Sequence, residues 1–211
     1  MNFRYSPPVL VQKLFGNFIW QTSNNKILLT FDDGPTESVT IKILSLLKNN
    51  NIKAVFFCVG DNIKNHPELT EKILGEGHTI ANHTMYHKLI TKMNREEAVD
   101  EIKSFNDLMK EKFNYGVKYF RPPHGRFNLK TNRILSELNL KCIMWNLLTY
   151  DFKNDIKRVQ YSIDKYLSAN SVIVYHDNVK NYDIIEGSLN YTIEQAAKKG
   201  FKFGEPKDCL K

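Results

Sequence analysis

Short apolar runs alternate along the chain with longer amphipathic stretches, and Gly, Pro and Asn mark the joins. Residues 27–31, 54–59, 78–81, 119–120, 142–148, 171–175 and 201–203 read as strands, because each is brief and rich in apolar residues, and several are closed by Gly or Pro. Residues 36–50, 67–76, 94–113, 129–138, 155–167 and 188–199 carry apolar positions at helical spacing. Pro67 opens one of these helices and Gly77 follows its end, the usual asymmetry. Asn94 with Glu97 three residues on makes a capping-box pattern for another. Alternation of strand and helix, with no linker and no internal repeat, predicts βαβ units and a parallel sheet. Periodicity alone leaves an open doubly wound sheet and a closed barrel as alternatives.

The polar residues narrow the choice. Asp32 and Asp33 follow the first strand, His83 the third, Arg121 and His124 the fourth, Asp151 the fifth, and His176 and Asp177 the sixth. All fall at carboxyl ends of strands, the edge that carries chemistry in parallel α/β folds. Strand ends spread around a whole rim favour a barrel over a single crevice.

Ahead of the first strand, residues 9–20 have apolar positions at 11, 14, 15, 18 and 19, interrupted by Gln12, Lys13, Gly16 and Asn17. This predicts a helix that docks on the body; an interfacial membrane helix is the alternative. The expected organisation is therefore an N-terminal segment, 1–25, packed on one domain spanning 26–211. No window of 18 uninterrupted apolar residues exists, so no membrane span is expected. No small-residue cleavage site follows residue 20, so the segment is a poor secretory signal and, by sequence alone, the compartment reads as cytoplasmic.

Length and composition add bounds. A chain of 211 residues with 42% hydrophobic and 25% charged residues fits one ordinary domain, and a monomer is expected. The formal charge of +7 is scattered, with no block of like charges, which argues against nucleic-acid binding and leaves room for a basic rim facing an anionic polymer or a membrane surface. Cys58, Cys142 and Cys209 are far apart and odd in number, so neither a disulfide framework nor a thiolate metal site is expected.

Two stretches bear candidate chemistry. Asp32 and Asp33 end an apolar strand just before Gly34 and Pro35. Adjacent buried carboxylates repel unless a metal, an arginine or water faces them. The plainer reading is a solvated Asp-Gly turn. His83 and His87 stand four apart; were this segment helical, both rings would share a face and could share a metal. With Asp33 they would form a two-His, one-carboxylate set that leaves coordination positions for water and substrate.

Thr30–Pro35 together with His83–His87 resembles the first two motifs of the NodB-type polysaccharide deacetylases, carbohydrate esterase family 4, and the likeness runs from about residue 26 to 203. The resemblance implies an irregular (β/α)7 TIM-like barrel and one divalent metal ion, Zn2+ first with Co2+ or Ni2+ as substitutes. It implies Asp33, His83 and His87 as ligands, Asp32 as the general base, Arg121 of Arg121-Pro122-Pro123 as the residue that orients the base, and His176 as the general acid. It implies an acetylated glycan as partner and a site of action outside the cytoplasm or in the cell envelope.

The chain departs from the family pattern at three places. His124-Gly125 stands where the third motif has Tyr-Gly, so the backbone donor expected to hold the oxyanion survives but the side chain does not. The fourth motif, at 148–152, lacks its first Asp and has Phe152 for Trp; Asp151 remains to hold Arg121 or polarise His176. Val174 replaces the Leu of the last motif. Pro123, His124, Tyr150, Phe152 and Val174 are accordingly the expected substrate contacts, with Tyr86 and Phe127 as further candidate walls. Trp145 reads as core, and His66 and His78 as structural. These departures keep open an O-acetyl esterase acting on xylan-like sugars or an amidohydrolase of small amides. A silent carbohydrate-binding module is the rival from another class, and a phosphatase is disfavoured because that chemistry wants Asp-x-Asp.

Overall fold

The computed structural model describes residues 5–211. Seven parallel strands form one curled sheet, flanked by helices, with the architecture of a (β/α)7 half-barrel. The strands are β1 (Leu28–Asp32), β2 (Val55–Cys58), β3 (Thr79–Asn82), β4 (Tyr119–Phe120), β5 (Lys141–Cys142), β6 (Leu147–Leu148) and β7 (Val172–His176), in the order β5-β4-β3-β2-β1-β7-β6. The helices are α1 (Val9–Leu14), α2 (Glu37–Asn49), α3 (Gly60–Asn65), α4 (Pro67–Gly75), α5 (Arg95–Phe113), α6 (Leu129–Glu137), α7 (Ile156–Tyr166), α8 (Ile185–Lys198) and α9 (Pro206–Cys209).

The two faces of the sheet bury separate apolar clusters. Leu29, Phe31 and Phe56 pack outward under α2 and α8 with Ile43, Leu47 and Leu189. Leu28, Val55, Phe57 and Phe120 point to the other side, against Ile102, Met144 and Trp145. Alternation along β1 and β2 divides these sets, as a strand buried on both faces requires. The expected capping box on α5 is present: Asn94 Oδ1 accepts from the Glu97 backbone N–H and Glu97 returns a bond to the Asn94 N–H.

Three expected elements take another form. Residues 142–148 do not make one strand. The chain leaves β5 at one sheet edge and joins β6 at the other, so the stretch between them closes the half-barrel covalently. The backbone N–H of Met144 bonds to the carbonyl of Ile19, and the carbonyls of Ile143 and Met144 turn inward to Arg121. Residues 201–203 contribute only one bridge, Ile27 to Phe203, rather than the seventh strand; the count of seven is reached by β5 and β6. The helix expected over residues 9–20 ends at Leu14, and Gly16 and Asn17 turn the chain so that Ile19 pairs in parallel with Ile143. Val11, Phe15, Phe18 and Trp20 are buried in the second cluster, where Phe127 meets the rings of Phe15 and Phe18 at 4.7 and 5.2 Å. Among the described residues no helix is long and apolar enough to cross a membrane.

Candidate active site

The carboxyl ends of the strands surround a cavity of about 1380 Å³ whose wall includes Asp32, Asp33, His83, His87 and His176. β1 ends on Asp32, and Asp33 turns into the next loop with a φ of 79°, a left-handed value that non-glycine residues rarely adopt. Two side-chain donors fix the turn: Asn62 bonds the Asp33 carbonyl at 2.6 Å and Asn178 lies 3.4 Å from its Oδ2. Gly34 is required here by space, because a methyl group in its place would overlap the carboxylate of Asp177. That carboxylate accepts from the hydroxyls of Thr36 at 2.9 Å and Thr40 at 2.6 Å, tying the end of β7 to the loop that carries both aspartates.

The segment 83–87 is not a helix. Thr84 and His87 have φ values of 68° and 55°, and the loop is pinned on both sides. Asn82 Oδ1 accepts from the Thr84 N–H at 2.7 Å, the Met85 N–H bonds the Glu101 carbonyl, and the Tyr86 N–H bonds the Glu101 carboxylate. The loop nevertheless brings the imidazoles together, 5.0 Å apart between centroids. His87 Nε2 lies 3.3 Å and His83 Nε2 3.7 Å from Asp33 Oδ1. One donor atom from each of the three residues lies within 4.8 Å of the others.

These donors suit a cation. His83 Nδ1 is 2.8 Å from the Arg121 carbonyl, which can only accept, so the ring proton sits on Nδ1 and the Nε2 lone pair faces Asp33. Burial pushes His83 down to about 4, which leaves it neutral, against the pull of Asp32 and Asp33. Burial would raise the Asp33 carboxyl, but the hydrogen bond from His87 and the charge of His176 hold it well below the usual range. A neutral nitrogen lone pair facing a carboxylate at 3.7 Å is neither a hydrogen bond nor an ion pair. A small divalent ion between them satisfies both, since ligands about 2.0–2.2 Å from a tetrahedral centre stand roughly 3.3–3.6 Å apart.

Arg121 is wholly buried beneath the site. Its guanidinium donates to Asp32 Oδ1 at 2.7 Å, to Thr30 Oγ1 at 2.8 Å and to the carbonyls of Ile143 and Met144 at 3.0 and 2.8 Å, and it lies 4.0 Å over the Phe57 ring. Four acceptors and an aromatic face compensate the desolvation of this charge. Asp151 pairs with His176 and not with Arg121. Its Oδ1 is 2.8 Å from His176 Nδ1, and its Oδ2 accepts from the His176 and Asn181 nitrogens at 2.7 and 2.8 Å. Burial works against a charged His176, but Asp151 outweighs it and raises the imidazole to about 9.

The remaining expected contacts divide. His124, Tyr150, Phe152 and Val174 line the cavity, and so does Tyr86. The Phe152 ring meets the His176 imidazole edge-on at 5.0 Å, and His124 stands 4.7 Å from His87, outside the three-donor group. Pro123 is buried and does not line the cavity; Phe127 is used in packing the N-terminal segment. Trp145 is buried in the core yet reaches the cavity floor, closely covered by Gly125, where no Cβ fits. His78 is structural: its Nδ1 accepts from the Ala54 N–H, and burial holds it to about 4. Sequence reasoning gave no role to Asn62, Asn178 or Asn181, whose bonds to Asp33 and Asp151 join residues distant along the chain.

Residues 20–143 match the family model described as polysaccharide deacetylase. The chain is 30% identical over 203 residues to a peptidoglycan-N-acetylglucosamine deacetylase of Bacillus cereus, covering 94% of this chain and 73% of that protein. It is 34% identical over 145 residues to chitin deacetylase 1 of Saccharomyces cerevisiae, covering 67% of this chain and 47% of the yeast protein. A crystallised peptidoglycan N-acetylglucosamine deacetylase superposes with a TM-score of 0.88 at 28% identity, covering 97% of each chain. Motif, fold and relatives agree, and the chain belongs to the polysaccharide deacetylase family.

Proposed function

We propose that this protein is a metal-dependent hydrolase that removes N-acetyl groups from an acetylated amino-sugar glycan of the peptidoglycan or chitin kind. One observation carries the reading: a three-donor cation site, Asp33 with His83 and His87, opens on the same cavity as an arginine-held carboxylate and a carboxylate-held imidazole. The names of the relatives support it. The donor set suits Zn2+, and Co2+ or Ni2+ suit the same ligands. Such an ion supplies Lewis acidity, lowering the pKa of water from about 15.7 towards about 7 and polarising the acyl carbonyl.

The chain's own residues do the rest. Arg121 fixes Oδ1 of Asp32. That leaves Oδ2 to take the proton from the attacking water. His124 lines the cavity, and its backbone N–H would serve as the donor for the developing oxyanion. His176 bonds Asp151 through Nδ1, so its Nε2–H protonates the departing amine. Water adds across the amide, acetate and a free amine leave, and proton exchange with solvent resets Asp32 and His176. Acetate release from chito-oligosaccharides and peptidoglycan fragments tests the reading. Release that is lost with chelator and regained with zinc supports it; full turnover by the demetallated protein refutes it.

A further inference from the structure

The four 3₁₀ turns at the mouth of the cavity share a feature that hydrolysis of an acetamide does not need. They are Ile90–Lys92, Pro123–Gly125, Asp151–Lys153 and Val179–Asn181. Each delivers one cation to the wall: Lys92, Arg126 directly after its turn, Lys153 and Lys180. All four are exposed. Among the described residues none of them forms an ion pair with a carboxylate, whereas Lys88, Arg95, Arg158 and Lys198 do.

The acids of the same cavity do not offset them. Asp32 is matched by Arg121, and Asp33 belongs to the cation site. Asp61 remains, one carboxylate against four cations. Unpaired cations set on short turns around a concave mouth raise the local potential and attract anions. The turns restrict how far each charge can wander, which lowers the ordering cost on binding.

We propose that the mouth selects an N-acetylated glycan whose chain also bears negatively charged groups, such as carboxylates along the polymer, over a neutral one. This rests on the deacetylase reading and names its substrate more closely. Lys92, Arg126, Lys153 and Lys180 are the specificity-determining residues, and they act in binding rather than in proton transfer.

Two soluble chitin ethers with one backbone separate the cases: glycol chitin, which is neutral, and carboxymethyl chitin, which is anionic. The wild-type protein gives a higher kcat/KM on the carboxymethyl ether, and the preference shrinks as salt rises. Each of K92Q, R126Q, K153Q and K180Q lowers the ratio of the two kcat/KM values roughly two- to fivefold, through KM, as expected for exposed charge pairs. K207Q is the control for net charge. It lies on α9, whose Cys209 sits against Gly204, and the Gly204 N–H bonds the Ile27 carbonyl just ahead of β1, at the end away from the cavity; K207Q leaves the ratio unchanged.

Equal kcat/KM on both ethers, or a ratio that no rim variant changes, overturns the proposal while acetate release still upholds the deacetylase reading. If neither ether releases acetate, direct titration decides: tighter, salt-sensitive binding of carboxymethyl chitin that the rim variants weaken supports the charged-mouth inference on its own. Equal binding of the two ethers overturns it.

Discussion

Asp32 and His176 are register partners across the parallel pair β1 and β7, so the arginine-held carboxylate and the carboxylate-held imidazole stand side by side at one strand edge. The Asp177 N–H bonds the Asp32 carbonyl at 2.7 Å directly beyond them, which locks that register. Two groups assigned opposite proton transfers are thus held by the sheet itself, each against a buried partner of opposite charge, Arg121 for Asp32 and Asp151 for His176.

The first prediction concerns Asp151. His176 is raised to about 9 by this buried carboxylate, so its proton is present through neutral pH and lost as pH climbs through that value. kcat/KM should therefore fall on the basic side near pH 9, and at lower pH where a bound cation opposes the imidazolium charge. In Asp151→Asn the basic limb moves down by more than one unit, and turnover falls by about 10²–10⁴. The same linkage acts on stability. The pairing stabilises the fold in full below pH 6.5, the ordinary value for the group, and that share is lost as pH rises towards about 9. Thermal melting should follow this window in the wild type and not in Asp151→Asn.

The second concerns Arg121 and Asp32. Arg121→Met leaves Asp32 and two backbone carbonyls without their donor in a buried place. It should cost about 3–5 kcal/mol, read by chemical denaturation. Arg121→Lys keeps the charge but not the planar fork, so it should recover part of the stability and little of the activity. Asp32→Asn removes the proton acceptor and should lower kcat by about 10²–10⁴.

The third concerns Gly34. A methyl group there overlaps the Asp177 carboxylate, which Thr36 and Thr40 hold in place. Gly34→Ala should destabilise the protein by about 1–3 kcal/mol and displace the Asp33 turn. The measurement is a melting curve together with zinc affinity, and both should drop.

Much of this site could be read along the chain because its signals are local. An apolar strand running into Asp32-Asp33-Gly34 declares a strand end, and His83 with His87 declares a pair, though a pinned loop and not a helix joins them. The long-range half was illegible. Residues 142–148 are apolar but for Asn146, four positions past the end of β5, so nothing marks where β5 stops, and the carbonyls spent on Arg121 belong to no periodicity. Phe201 and Phe203 look like a strand but have one bridge to join. Whether Asp151 would serve Arg121 or His176 depended on which edge β6 joins, and pairing of β6 with β7 decides it.

The most direct test of the account is the zinc content of the purified protein after dialysis against buffered zinc, measured for the wild type and for Asp33→Ala, His83→Ala and His87→Ala. The account predicts one ion per chain in the wild type, a near-total loss in each folded variant, and acetate release that tracks the zinc bound. Retention of one zinc per chain in each of the three folded variants would contradict it.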